Sequence, residues 1–228
     1  MIVVSHPTGN VNVRAVLRGL DANLQLGGFA TTLAIRSSAS WLKFVPGALR
    51  SELLRRAYPD VRPEGIETWP WRELVRLSAG RLGWESICRH EVGWASIDAI
   101  YQSLDRRVAG RLSGWRETCA LRGVYAYEDG ALATFEAARR LGLRCFYDQP
   151  IGHWKAARRI LTEEAELQPE WAGTLTGNLD SSQKLARKDN ELELADEIFV
   201  ASTFTHRTLL EAGVSSEKIH VIPYGAPP

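Results

Sequence analysis

Two kinds of apolar pattern alternate along the chain. Short apolar runs typical of buried strands occupy residues 1–4, 29–35, 123–127, 143–147, 197–201 and 219–222. Between them, apolar residues recur three and four positions apart, as they do on one face of a helix. Strands that alternate with helices predict an α/β fold, with a Rossmann-like, doubly wound, mainly parallel sheet and helices on both faces.

Helix boundaries can be proposed from capping residues. Asn10 and Asn12 are candidate N-caps of the first helix, and Gly27 with Gly28 are candidates for its left-handed end. Apolar positions at helical spacing favour one long helix over residues 92–112. The helix after residue 130 is expected to end at Gly142.

We expect a single acceptor-side domain over residues 1–222, with residues 223–228 beginning an interdomain hinge. Its least regular part, about residues 38–118, is predicted to be helical and is rich in tryptophan and arginine. Six tryptophans lie there, and five of them are Trp69, Trp71, Trp84, Trp94 and Trp115. Acidic residues are interspersed among the arginines, so we expect most of these rings in the core with arginines lying over them. A surface that contacts anionic lipid is the alternative.

Composition indicates the cellular compartment of the protein and the kinds of partner it binds. Of the 228 residues 45% are hydrophobic, which is enough for a core, and a formal net charge of +1 gives no sign of nucleic-acid binding. Three widely spaced cysteines are typical of a reducing compartment. The sequence shows no signal peptide and no membrane span, so we expect a cytoplasmic protein, with peripheral contact at the inner membrane face as an additional expectation.

Candidate chemistry lies in the loops that follow the strands, because parallel sheets bind ligands beyond their carboxyl ends. His6, Gly9 and Asn10 follow the first strand, where the amides of a helix start can hold a phosphate. Gly9 stands alone, so the dinucleotide fingerprint is absent. No acid follows the second strand at the position where an NAD-dependent enzyme needs one, which disfavours that class.

Carboxylates follow the next two predicted strands. Glu128 and Asp129 could bind sugar hydroxyls, although a helix cap is the favoured role for Asp129. Asp148 is a candidate proton acceptor, with His153 and Lys155 in the same loop. We take Asp148 and His153 as catalytic candidates, and His6, Gly9, Asn10, Glu128, Asp129 and Lys155 as candidates for binding the acceptor or a phosphate. The residues predict no metal site.

Two segments resemble a known family. Residues 194–204, LADEIFVASTF, and residues 219–227, IHVIPYGAP, are similar to consecutive segments of retaining family-4 glycosyltransferases of the GT-B fold. The order of the segments and the helix between them also agree with the family, so the resemblance spans nearly the whole chain. It implies an N-terminal domain that binds the acceptor, here a carbohydrate or glycolipid, and a C-terminal domain that binds the nucleotide-sugar co-substrate.

The resemblance further implies transfer with retention, without a metal or other cofactor. This sequence departs from the family pattern in having one glycine in the first loop, and Glu128 and Asp148 where the family has histidines. No counterpart of the donor domain is present, so we expect this chain alone to be inactive and its donor domain to act in cis or in trans. A non-catalytic module that binds a sugar, phosphate or nucleotide is the alternative.

Overall fold

The computed structural model describes residues 1–36, 39–45, 47–59, 61–175 and 179–225. Its strands are β1 (Ile2–Ser5), β2 (Leu26–Thr31), β3 (Ile66–Thr68), β4 (Gly123–Tyr127), β5 (Arg144–Gln149), β6 (Glu197–Val200) and β7 (Ile219–Val221). Its helices are α1 (Val11–Ala22), α2 (Gly47–Leu54), α3 (Trp71–Leu82), α4 (Ile97–Thr118), α5 (Leu132–Arg140), α6 (Trp154–Leu167), α7 (Ser182–Leu194) and α8 (Thr203–Glu211).

These strands form one sheet with the order β3-β2-β1-β4-β5-β6-β7, and every pairing is parallel. The order reverses between β1 and β4, and the crevice at such a reversal is where open α/β sheets bind ligands. The predicted doubly wound α/β fold is therefore confirmed, and the switch point lies beside the loop that joins β1 to α1.

Two core layers lie on opposite faces of the sheet. On one face, α4, α5, α7 and α8 pack against inward residues of the strands, including Val124, Tyr147 and Ile198. On the other face, Val13 and Leu17 of α1 pack with Phe29, Tyr58 and Tyr125. The smaller second layer is concentrated over β1, β2 and β4.

Several predicted boundaries differ from the structure. Gly27 and Gly28 lie inside β2, whereas the left-handed residue after α1 is Leu24. Gly27 suits a strand because a Cβ there would lie 3.1 Å from the Cβ of Met1. The long helix begins at Ile97 rather than at residue 92, because the hydroxyl of Ser96 accepts a hydrogen bond from the amide of Ala99 and caps it.

The middle region differs most from expectation. It contains the edge strand β3, which its three residues did not predict. Trp115 is buried, but Trp71, Trp84 and Trp94 are 63%, 52% and 48% exposed, so placing most of the rings in the core was wrong. Arg72 stacks on Trp94 at the surface, so cation–π contact replaces burial there. Residue 38 and the hinge residues 226–228 lie outside the described residues.

Candidate functional site

The loop between β1 and α1 is organised by a buried histidine. The Nδ1 atom of His6 accepts hydrogen bonds from the amides of Gly9, at 2.8 Å, and Thr8, at 3.2 Å. The ring is 1% exposed and packs on Tyr127 with 4.4 Å between centroids. Burial lowers the pKa of His6 to about 3, so the ring is neutral and cannot contribute positive charge to a phosphate site.

Gly9 is required by the geometry of this loop. Its φ is +59°, and a Cβ there would lie 2.0 Å from the hydroxyl oxygen of Tyr58. That hydroxyl donates to the carbonyl of Thr8, so the aromatic ring is fixed against the loop. The predicted role of Gly9 in ligand binding stays a prediction, since close packing against Tyr58 already requires glycine.

Gly9→Ala is expected to destabilise the fold by about 2–4 kcal/mol, because it combines left-handed backbone strain with overpacking against Tyr58. The measurement is the free energy of unfolding in urea. Gly110→Ala is the matched control, because Gly110 lies inside α4 and a methyl group added there would meet no atom within 4 Å. That control should gain up to about 1 kcal/mol. Equal effects at the two positions would contradict this account of the loop.

Asn10 is the N-cap of α1, as one of the two candidates predicted. Its side-chain oxygen accepts from the amide of Val13 at 2.9 Å. Asn12, the other candidate, lies in the first turn of the helix, where it opposes the rise that burial causes in the pKa of Tyr224. The side chain of Asn10 is thus occupied by its own helix, whereas Asn12 faces a cavity.

Glu128 and Asp129 lie in an ion cluster with the basic residues of α7. The ammonium group of Lys188 lies 2.9 Å from Glu128 and 3.2 Å from Asp129, and Arg187 donates to Asp129 at 3.1 Å. Desolvation by burial raises the pKa of Glu128, against the lowering effect of Lys188. Both carboxylates therefore have cationic partners within the protein, and their predicted role in binding sugar hydroxyls stays a prediction.

Asp129 does not cap α5, contrary to the interpretation favoured from sequence. The start of that helix is capped by two buried carboxylates from other helices. Glu191 of α7 accepts from the amides of Ala131 and Leu132, and Asp105 of α4 accepts from the next two amides, each at 2.8 Å. Each lies inside a helix of the structure, and sequence spacing carried no sign that it reaches another helix start.

Asp148 lies apart from that cluster, in an apolar cavity at the switch point of the sheet. The cavity has a volume of about 330 Å³ and is lined mainly by apolar residues of α1, β4, β5 and β6 and by residues 222–225. Its polar groups are Asn12, Tyr125, Asp148 and Tyr224. Burial raises the pKa of Asp148 to about 6, opposed by the hydrogen bond from Tyr125. A carboxyl group with such a pKa can accept a proton near neutral pH.

Among the described residues, no hydrogen bond or ion pair joins His153 or Lys155 to Asp148. His153 caps α6, with Nδ1 accepting from the amide of Lys155, and its Nε2 lies 3.2 Å from the Asp189 carboxylate. Desolvation by burial lowers the pKa of His153, although Asp189 opposes that shift. Both ring nitrogens thus have partners, and the ammonium group of Lys155 lies over the Trp154 ring.

Within the described ranges, one cluster has the composition of a metal site. Ligand atoms of His90, Glu91 and Asp180 lie within 4.8 Å of one another. The ammonium group of Lys184 lies 2.9 Å from Asp180, so this carboxylate already has a cation beside it. In the same ranges no helix has the length and apolar character needed to span a membrane.

Comparisons with known proteins give fold neighbours only. No family model and no curated relative matches the sequence. The structure of apo UGT2 from Phytolacca americana matches with a TM-score of 0.51 and 12% identity, over 99% of this chain and 51% of that one. Arabidopsis thaliana UGT89C1 in complex with UDP has a TM-score of 0.46 and 12% identity, over 99% and 49%.

A third neighbour is a UDP-glucosyltransferase from Polygonum tinctorium capable of glucosylating indoxyl, with a TM-score of 0.40 and 15% identity, over 99% and 52%. The chain therefore spans about half the length of the solved structures it matches. At 12% identity, the match to the Phytolacca americana structure shows the fold: the chain has the α/β architecture of half of a GT-B glycosyltransferase. Membership of family 4 and retention stay predictions.

Proposed function

We propose that the chain is the acceptor-side domain of a glycosyltransferase that moves a sugar from a nucleotide-sugar to a hydroxyl group of a carbohydrate or glycolipid. The observation that carries the proposal is the cavity that holds Asp148 at the switch point of the sheet. Its apolar walls and few converging polar groups are typical of a ligand site. The fold likeness to glycosyltransferases supports this class of reaction over other chemistry on the same fold.

Asp148 is proposed to accept the proton of the acceptor hydroxyl. As the acceptor oxygen bonds to the anomeric carbon on the same face from which the nucleoside diphosphate leaves, the bond from that carbon to the diphosphate breaks and the proton passes to the carboxylate. Asn12 and Tyr224 lie in the same cavity and can orient the acceptor by hydrogen bonding. Retention at the anomeric carbon is part of the proposal and rests on the sequence resemblance.

The nucleotide-sugar would be held by a donor-side domain in cis or in trans. We therefore expect no transfer by the 228-residue chain alone, and transfer when the donor domain is joined to it or mixed with it. The assay is a panel of nucleotide-sugars with carbohydrate and glycolipid acceptors, and NMR of the product reports the anomeric configuration. Inversion would contradict the family-4 assignment.

In the active two-domain protein, Asp148→Asn is expected to lower kcat/KM by at least about 100-fold, because the amide cannot accept the proton. The wild-type profile of kcat/KM against pH should fall below about pH 6, since Asp148 must be ionised. Glu136→Gln, on the exposed side of α5, is the matched control and should retain activity. Tight sugar or nucleotide binding without turnover in the two-domain protein would instead favour the non-catalytic binding module.

A further inference from the structure

Helix α6 contributes little to the core of the domain. Ala156 is the one residue of this helix that is buried, and no residue of α6 belongs to the three apolar clusters that the described ranges form. Hydrogen bonds attach its amino-terminal half. The indole of Trp154 donates to Asp189 at 2.6 Å. Arg158 donates to the carbonyl of Asp180 at 3.1 Å. The other side of the helix lies open.

The open face of α6 is formed by residues three and four positions apart, which lie on one side of a helix. Its charged members are all exposed: Lys155, Arg159, Glu163 and Glu166. Ile160 and Leu167 lie beside them and are 39% and 73% exposed. In the short 3-10 helix that follows, Pro169–Thr174, the side chain of Trp171 is 62% exposed. Large apolar side chains exposed so near one another are typical of an interaction surface.

Positive and negative charges are separated along α6. The amino-terminal half carries Lys155, Arg158 and Arg159, and the carboxyl-terminal half carries Glu163, Glu164 and Glu166. Both halves oppose the helix dipole, which favours acids at the amino end and bases at the carboxyl end. Arg159 and Glu163 form an ion pair at 3.1 Å, but the base precedes the acid, which is the weaker order, and both side chains are more than half exposed. Interactions within α6 therefore do not account for this charge order.

The same charge order is self-complementary when two copies of α6 lie antiparallel. With a two-fold axis near Leu161, Arg159 would face Glu163 of the second copy, and Lys155 would face Glu166 of that copy. Each pair occurs twice, because a two-fold contact uses the same patch on both subunits. Antiparallel alignment also brings the positive end of each helix dipole beside the negative end of the other. Charged residues that flank a seam between helices set its partner and orientation.

We infer that the open face of α6 is the contact surface of a homodimer, in which two copies of the chain pair through antiparallel α6 helices. Ile160 and Leu167 lie at the seam. A helix of 14 residues is about 21 Å long, so one such pair of helices falls below the roughly 1,200 Å² at which stable interfaces begin. We therefore expect a weak dimer, with a Kd on the order of 10–100 µM. This contact is independent of the proposed sugar transfer.

Two charge-reversal variants of the 228-residue chain test the inference. Lys155→Glu with Arg159→Glu makes the open face acidic throughout, and Glu163→Lys with Glu166→Lys makes it basic throughout. In sedimentation equilibrium, each variant alone should dimerise at least about tenfold more weakly than the wild type, because like charges then face each other. An equimolar mixture should form a heterodimer at least as tight as the wild-type dimer. Both substitutions suit the helix dipole, so the fold should be retained.

The matched control is Arg106→Glu with Arg116→Glu, which makes the same change in net charge at exposed positions of α4. Its Kd for dimerisation should stay within about threefold of the wild-type value. A circular dichroism spectrum of each variant reports whether α6 and the other helices are retained.

Three results would overturn the inference. The first is a wild-type chain that stays monomeric at about 500 µM, well above the expected Kd. The second is dimerisation that neither charge-reversal variant weakens. The third is a mixture of the two variants that associates no better than each alone. Binding of a monomeric chain to anionic vesicles or to a donor-side domain, lost in the acidic variant, would assign the face to another partner. Since no donor domain or substrate is needed for sedimentation, the result is independent of sugar transfer.

Discussion

Asp148→Asn is expected to make the isolated chain more stable than the wild type at pH 8, by about 2–3 kcal/mol, and to have little effect at pH 4. Burial raises the pKa of the Asp148 carboxyl from 3.8 to about 6, so the folded chain binds this proton more tightly than the unfolded chain. Protonation of Asp148 therefore stabilises the folded chain below pH 4, and this stabilisation is lost as the pH rises to 6 and above. Two pKa units correspond to about 3 kcal/mol.

The measurement is the free energy of unfolding in urea at pH 4, 6 and 8 for both proteins. Asparagine has a neutral side chain at every pH, so its curve lacks the contribution of Asp148. Glu136→Gln should follow the wild-type curve because its side chain is exposed. Parallel curves for Asp148→Asn and the wild type would show that the carboxyl titrates alike in the folded and unfolded chains.

A stabilising effect of Asp148→Asn would also bear on function. A buried carboxyl group that lowers stability at neutral pH is typical of a functional position, where activity is kept at a cost in stability. The opposite effects expected of this one substitution, gain in stability and loss of transfer, would distinguish a catalytic carboxylate from a structural one.

Glu191→Ala is expected to destabilise the chain by about 3–5 kcal/mol. The carboxylate is fully buried and accepts four hydrogen bonds, from the amides of Asp129, Ala131 and Leu132 and from the hydroxyl of Tyr147. Alanine would leave these donors buried without acceptors, and each such donor costs about 1–3 kcal/mol before the structure relaxes. The effect is measured as the midpoint and slope of urea unfolding.

Glu193→Ala provides the control, because Glu193 lies two positions away on α7 and its side chain is exposed. It should change the free energy of unfolding by no more than about 0.5 kcal/mol. A loss of similar size in the two variants would mean that the buried hydrogen bonds of Glu191 do not account for the effect. Thermal unfolding of the same pair should rank them in the same order.

Much of the fold was predictable because the signals are local. The runs at 123–127 and 143–147 and the helix before Gly142 coincide closely with β4, β5 and α5. Alternation of such strands with helices requires a parallel sheet joined by right-handed crossovers. The N-cap at Asn10 was predictable for the same reason, because its side-chain oxygen accepts a hydrogen bond from the amide of Val13, three residues later.

Boundaries that depend on distant residues were missed. Gly27 and Gly28 carried a helix-end signal, but strand packing against Met1 and the indole of Trp115 placed them in β2. The short strand β3 forms because it pairs with β2, and three residues give no period of their own. The exposure of Trp71 and Trp94 could not be predicted either, because composition does not indicate which residues of a helix or turn meet the core.

The sequence by itself determined the α/β class, the switch-point loops and the presence of acids at the ends of β4 and β5, because each depends on residues near one another in the chain. Only the tertiary structure decided what those acids do. Glu128 and Asp129 meet the cations of α7, whereas Asp148 enters an apolar cavity. The two environments differ in charge and solvation, which are set by residues distant along the chain, such as Lys188 at 60 positions from Glu128, and which decide protonation and ligand access.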